Sequence, residues 1–186
     1  DETFMRNIKW LNFLKLKASW GTVGNGLNIG NYLSYPALNN SNVGIFGENI
    51  YPSVVAAYVP DPNLHWETVE GKDVGFESSI LSNRLSLNVD FYDRKTHDIL
   101  TTFPLPGTTK SYFTNLGTID NKGIEVEAGW SDNLGKDFRY SINGNFSIDK
   151  NKVVSIGNNI NFNIIGNGGI NLTQSGYEIG YFYGYV

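Results

Sequence analysis

Five stretches of the chain alternate apolar and polar side chains with a period of two, the signature of β-strands that show one face to water and the other to something apolar. In 12–20, Leu14, Leu16, Ala18 and Trp20 alternate with Phe13, Lys15, Lys17 and Ser19. In 66–80, Val74, Phe76 and Ile80 alternate with Asp73, Gly75 and Glu77. In 84–96, Leu85, Leu87, Val89 and Phe91 oppose Ser86, Asn88, Asp90 and Tyr92. In 118–130, Ile124, Val126, Ala128 and Trp130 oppose Gly123, Glu125, Glu127 and Gly129. In 138–150, Phe138, Tyr140, Ile142, Phe146 and Ile148 oppose Arg139, Ser141, Asn143, Asn145 and Ser147. No segment carries a sustained helical period, so the expected class is all-β and antiparallel.

The joins constrain the fold further. Ser82-Asn83 predicts a tight hairpin and 131–137 a short turn rich in Asp, Asn and Gly. The other connections, 21–65, 97–117 and 151–176, are long. Long and short alternate strictly, which puts every long loop at one end of the sheet. The 24 Asn and 21 Gly among 186 residues suit such loops, because both residue types accept the backbone angles of turns.

Two architectures share this alternation. A soluble β-sandwich, for instance a carbohydrate-binding one, has no reason to gather its long loops at one end. An up-and-down transmembrane β-barrel does, with short inner turns, long extracellular loops, lipid-facing apolar residues and a polar lumen. A strand of 10–11 residues at ~3.3 Å each, tilted by ~40°, rises ~25 Å, the height of the apolar band. Trp10, Trp20, Trp66 and Trp130 stand at or next to the expected strand ends, where membrane-interface aromatics belong. In a barrel, Leu85, Leu87, Val89, Phe91, Ile124, Val126, Ile142 and Phe146 face lipid and are exposed; in a sandwich they converge into a dry core. Glu70 and Lys72 share the parity of Val74 and Phe76, so a barrel strand must carry them above the hydrocarbon, level with Asp93 and Lys95 on the next strand.

Other classes fall away. The net charge of −4 and the scattered Lys and Arg leave no nucleic-acid footprint. The longest uninterrupted apolar run, Val54–Val59, is far short of the ~20 residues of a membrane helix. With no Cys there are no disulfides and no thiolate metal sites. His65 and His97 lack a second His nearby, so neither metal nor cofactor is expected. Glu125 and Glu127 read as charges on one strand face rather than an acid/base pair, and no nucleophile–base set suggests an enzyme. The 21–26 and 166–169 glycines lack the Lys-Ser/Thr of a phosphate loop. The chain opens on Asp-Glu-Thr without a start Met, signal peptide or lipobox, and is expected to be a piece of something longer.

Leu14-Lys-Leu-Lys-Ala-Ser-Trp-Gly-Thr-Val-Gly-Asn25 is similar to a strand-and-glycine signature of the SusC/RagA family of TonB-dependent outer-membrane transporters. Pro62-Asn-Leu-His-Trp-Glu67, Asn83-Arg-Leu, Phe91-Tyr-Asp-Arg-Lys-Thr-His-Asp-Ile-Leu100, Asn115-Leu-Gly-Thr-Ile-Asp-Asn-Lys-Gly-Ile-Glu125 and Gly176-Tyr-Glu-Ile-Gly-Tyr-Phe-Tyr-Gly-Tyr185 resemble further family blocks in order. Asp61, His65 and Asp120 depart from the family's usual Asn, basic residue and Arg. The resemblance implies a later section of a 22-stranded barrel, with the plug domain absent from this chain. It implies import of oligosaccharides or peptides, driven by TonB through the missing N-terminal region, in partnership with a SusD-like surface lipoprotein, in the bacterial outer membrane. A SusC-like barrel serving as a scaffold subunit of a larger assembly is the alternative. Tyr32, Tyr35, Tyr51, Tyr58, Tyr112 and Phe113 in the long loops are candidate ligand or partner contacts, since aromatics beside Asn stack on sugar rings or grip peptides; packing of loop on loop is the competing role.

Overall fold

The computed structural model describes residues 8–26, 31–105, 107, 110–157 and 164–184. Parts of the three expected loops (27–30, 106, 108–109 and 158–163) lie outside the described residues, as does Tyr185 of the last family-like block. The chain folds into β1 (Leu11–Asn25), β2 (Leu38–Phe46), β3 (Asn49–Ala56), β4 (Tyr58–Val59), β5 (Glu67–Ile80), β6 (Leu85–Pro104), β7 (Ser111–Leu134), β8 (Phe138–Ile156), β9 (Ile164–Gly166), β10 (Asn171–Thr173) and β11 (Tyr181–Phe182). The one helical element among the described residues is a 3-10 turn at Asn167–Gly169. The long strands pair in sequence order, β1-β5-β6-β7-β8, as an up-and-down sheet. Two-residue β4 joins β7 in parallel, Tyr58 beside Ser111 and Val59 beside Tyr112.

The strands outrun their expected ends. β1 reaches Asn25, β6 reaches Pro104, β7 begins at Ser111 and β8 ends at Ile156, so most of 97–117 is strand rather than loop. The reason is composition: Ile99, Leu100, Thr101, Thr102 and Phe103 favour a pleated backbone without alternating in polarity, so periodicity alone misses them. The 21–65 segment also holds a hairpin, β2 with β3, in register from Val43 beside Pro52 to Phe46 beside Asn49. The first short join spans 81–84, where Leu81, Ser82 and Asn83 all take left-handed φ of 55–63°. Leu81 N donates to Trp10 O and Asn83 N to the Asn12 side chain, which tie this turn to β1. The second join turns at Gly135, whose φ of 73° a side chain would resist.

The residues group into two compact units. The first comprises Asp1–Thr22, Glu70–Lys95 and Asp120–Lys152. Within it no apolar side chain is buried among the described residues. Leu85, Val126, Ala128, Trp130, Ile142 and Phe146 share one surface, and none is buried. Leu87, Val89, Phe91 and Ile124 keep the same parity and are likewise unburied. The second unit comprises Val23–Val69, Thr96–Ile119 and Val153–Val186. It holds the only buried apolar side chains among the described residues, Val153, Ile156 and Leu172. There the end of β8 pairs with the segment before β11: Val153 N donates to Tyr177 O and Gly176 N to Val153 O. The whole chain exposes 14,033 Å², against about 8,900 Å² expected for a compact soluble protein of 20.7 kDa. The sandwich alternative fails on that comparison, because it requires the apolar faces to meet in a core.

Candidate functional site

The polar face of the first unit is held by cross-strand hydrogen bonds and ion pairs. Lys17 on β1 donates to Asn88 Oδ1 at 2.8 Å and lies 2.8 Å from Asp90 Oδ1, both on β6, with Glu77 of β5 at 3.6 Å between them. Lys15 meets Glu77 at 3.5 Å, and the Ser19 hydroxyl donates to Asp73 at 3.2 Å. Arg94 lies 3.7 Å from Asp73 and stacks 4.9 Å above the Tyr92 ring. The hydroxyl end of Tyr92 in turn lies over Gly123 on β7, so close that a Cβ there would strike it. Beyond it, Asn88, Asp90, Glu125, Glu127, Asn145 and Ser147 line an open groove of about 540 Å³. A face of this kind is wetted and hydrogen-bonding, and it is backed on the same strands by the apolar one.

The second unit is organised around three side chains. Glu67, at the head of β5 and only 6% exposed, accepts from Leu100 N of β6 at 2.9 Å and from Asn25 Nδ2 of β1 at 3.0 Å. One carboxylate thus ties three strands, replacing a backbone acceptor for Leu100. Asn115 of β7 donates to His65 O at 2.8 Å and to Asp98 O at 2.7 Å, and accepts from His65 N at 2.9 Å. Asp98 takes a left-handed φ of 57° beneath this clamp. Asp61 accepts from the Thr114 hydroxyl and Asn63 N, and its hydrogen bonds, Thr114 first, hold its carboxyl below the usual carboxylate range. The His65 ring donates from Nδ1 to Asn63 O at 2.8 Å and faces Asp98 Oδ2 from Nε2 at 3.3 Å; the Asn63 bond, then Asp98, raise its pKa.

These strands can be compared with known proteins. The TonB dependent receptor-like, beta-barrel family matches residues 7–184. The chain belongs to this family. The TonB-dependent receptor P3 of Formosa agariphila is 32% identical over 192 residues, spanning 99% of this chain and 19% of that protein. The TonB-dependent receptor SusC of Bacteroides thetaiotaomicron is 28% identical over 163 residues, 84% of this chain and 16% of its own length. The RagAB peptide importer, solved in a "closed-closed" state, superposes with a TM-score of 0.79 at 27% identity, covering 94% of this chain and 19% of that one. This chain therefore spans about a fifth of the length of the relatives it matches. It is a section of an outer-membrane β-barrel of the SusC/RagA kind.

Within this barrel section the predicted aromatics separate into two groups. Tyr58, Tyr112 and Phe113 come together: Tyr58 meets Phe113 edge-on at 5.0 Å, its hydroxyl donates to Tyr35 O at 2.7 Å, and the Tyr112 hydroxyl hydrogen-bonds Asp61. These side chains pack β4 against the start of β7. Tyr32, at 81% exposure and φ of 65°, Tyr35 and Tyr51 remain open, with Tyr51 meeting Phe46 edge-on at 6.0 Å. Of the tryptophans, Trp10 precedes β1 and receives the Leu81 N–H, while Trp130 lies under Arg84 at 5.8 Å with its Nε1 3.4 Å from the Tyr140 hydroxyl. Trp20 donates to Glu70 at 3.1 Å. It lies inside β1 rather than at its end, because the strand runs five residues past it. Trp66 lies over Gly24 and Gly26, where an added Cβ would come within 3.3 Å of its indole, so the two glycines leave room for the ring.

Sequence reasoning missed Glu67 and Asn115. Both lie inside family-like blocks, but a single carboxylate or amide has no periodicity to announce it. Glu67→Ala in the intact barrel leaves the Leu100 N–H without its acceptor, so unfolding stability should fall by about 1–3 kcal/mol. Glu67→Gln, which keeps a carbonyl oxygen for that bond, should lose less than half as much. Urea titration in detergent micelles measures both.

Proposed function

We propose that this chain forms one section of the wall of a TonB-driven importer of oligosaccharides or peptides, in a 22-stranded plugged barrel that works with a SusD-like surface lipoprotein. The observation that carries the reading is the division of each long strand into an apolar face and a charged, hydrogen-bonded face. It is supported by the likeness to a peptide importer of known structure. The polar face walls the lumen. The segments 21–65, 97–117 and 151–176 lie outside the cell, where Glu67, Asn115 and Asp61 brace the loop bases. Tyr32, Tyr35 and Tyr51, with the exposed hairpin β2–β3, are the surfaces left for substrate or lipoprotein, while Tyr58, Tyr112 and Phe113 hold β4 against the start of β7. Trp10, Trp20 and Trp130 mark the membrane interfaces.

The test is growth of the native bacterium on oligosaccharide or peptide as sole nutrient. Deleting the full-length gene, or TonB, should abolish uptake of one of these classes while the other continues. Unchanged uptake of both, with loss of a surface assembly instead, would favour the scaffold role.

A further inference from the structure

Directly beyond the apolar belt, the lipid-facing side of the first unit carries two rows of charge. Moving along β5, β6 and β7 the first row reads Lys72, Asp93, Lys122, and the next reads Glu70, Lys95, Asp120; these six side chains enclose one small depression. The signs alternate along and across the rows, with Lys72 3.1 Å from Glu70, and Lys122 3.2 Å from both Asp93 and Asp120. On β8, Lys150 and Lys152 keep the parity of Ile142, Phe146 and Ile148, and both are exposed. The belt therefore holds Lys72, Lys95, Lys122, Lys150 and Lys152 against Glu70, Asp93 and Asp120, a surplus of two positive charges. Among the described residues no carboxylate comes within ion-pair distance of Lys95, Lys150 or Lys152.

Eight charges on a lipid-facing surface cannot sit in hydrocarbon, where each Lys costs about 2–4 kcal/mol at the midplane and about 0–1 near the interface. Their abrupt start, one strand alternation beyond Val74, Phe91, Ile124 and Ile148, marks the level at which the bilayer's headgroups begin. Lysines there bury their methylenes along the apolar belt and raise the ammonium to the headgroups. We propose that this belt is a lipid-headgroup site: Lys150 and Lys152, flanked by Lys122, hold the phosphate of an anionic membrane lipid whose acyl chains lie on Ile142, Phe146 and Ile148. The carboxylates of β6 and β7 keep the remaining lysines from repelling one another and confine the anion to the β8 end.

The full-length barrel, purified in detergent, is titrated with phosphatidylglycerol, with phosphatidylcholine and with inorganic phosphate, and bound lipid is counted by native mass spectrometry. Phosphatidylglycerol should bind in preference to phosphatidylcholine, and binding should weaken with added salt. The Lys150→Gln/Lys152→Gln variant should bind phosphatidylglycerol about thirtyfold more weakly, from the attraction of two lysines near an anionic surface. Lys150→Arg/Lys152→Arg should retain it, which separates loss of charge from loss of fold. Lys15→Gln, on the lumenal face, should leave it unchanged. Equal binding by the Gln variant and wild type overturns the proposal, as it would if carboxylates of a neighbouring strand neutralise these lysines. Displacement of the lipid by millimolar inorganic phosphate also overturns it, since the pair would then be a general anion site and not a lipid seat.

Discussion

Val126→Arg is expected to prevent stable insertion of the barrel, while Glu127→Arg, one residue away, leaves it inserted. Val126 sits mid-belt on β7 among Leu85, Ala128, Ile142 and Phe146. Its neighbour Glu127 has the opposite strand parity, so its side chain points to the other face of the sheet. An Arg at the middle of the lipid-facing band costs about 2–4 kcal/mol, whereas lumenal changes alter what the pore admits rather than whether it folds. A loss of that size is a large share of a marginal folding free energy. Outer-membrane yield of the full-length protein and its folding midpoint in urea, measured in lipid vesicles, read the difference. A cost shared equally by both substitutions would mean that the two faces are not the ones assigned.

Residues 1–186 expressed alone should aggregate in water. A soluble chain of 20.7 kDa would expose about 5,000 Å² less surface than this one does, and only Val153, Ile156 and Leu172 are buried apolar side chains among the described residues. In addition, among the described strands β1 ladders only with β5 and β8 only with β7, and beyond β8 the segment around Gly176–Tyr177 meets just its last residues at Val153, so most of each outer edge is open. Such edges template pairing with other chains, and in lipid each unpaired backbone group costs several kcal/mol. Size-exclusion chromatography without detergent should give no monomer peak. A monodisperse monomer with a cooperative melt would contradict both the exposed belt and the need for flanking strands.

What the sequence made readable follows from how each feature is encoded. The amphipathic parts of β1, β5, β6, β7 and β8 were legible because a lipid belt and a wet lumen impose opposite polarities on alternate residues. The upper part of β6 and the hairpin β2–β3 were not, since Ile99–Phe103 and Leu38–Phe46 do not alternate in polarity and their strand character comes from propensity and pairing. Glu70 and Lys72 stood out as charges of the wrong parity, and Asp93 and Lys95 could be placed beside them. The continuation to Asp120, Lys122, Lys150 and Lys152 needed the register of β7 and β8. The loop-base network joins residues distant in the chain, Asp61 to Thr114 and His65 to Asn115, and no local pattern anticipates such a pair. Asp61, His65 and Asp120, the three departures from the family pattern, all carry polar contacts: Asp61 with Thr114, His65 with Asp98, Asp120 with Lys122.

The chain contains no Cys, which allows its facing to be read one residue at a time. Single Cys substitutions at Ile124, Glu125, Val126, Glu127 and Ala128, placed in the full-length barrel with any Cys elsewhere replaced, can each carry a nitroxide spin label. In lipid vesicles, labels at 124, 126 and 128 should relax through dissolved oxygen and ignore a water-soluble nickel chelate. Labels at 125 and 127 should do the reverse. Accessibility that fails to alternate along these five positions, or alternates with the opposite phase, would contradict a lipid-facing apolar belt backed by a lumenal polar wall.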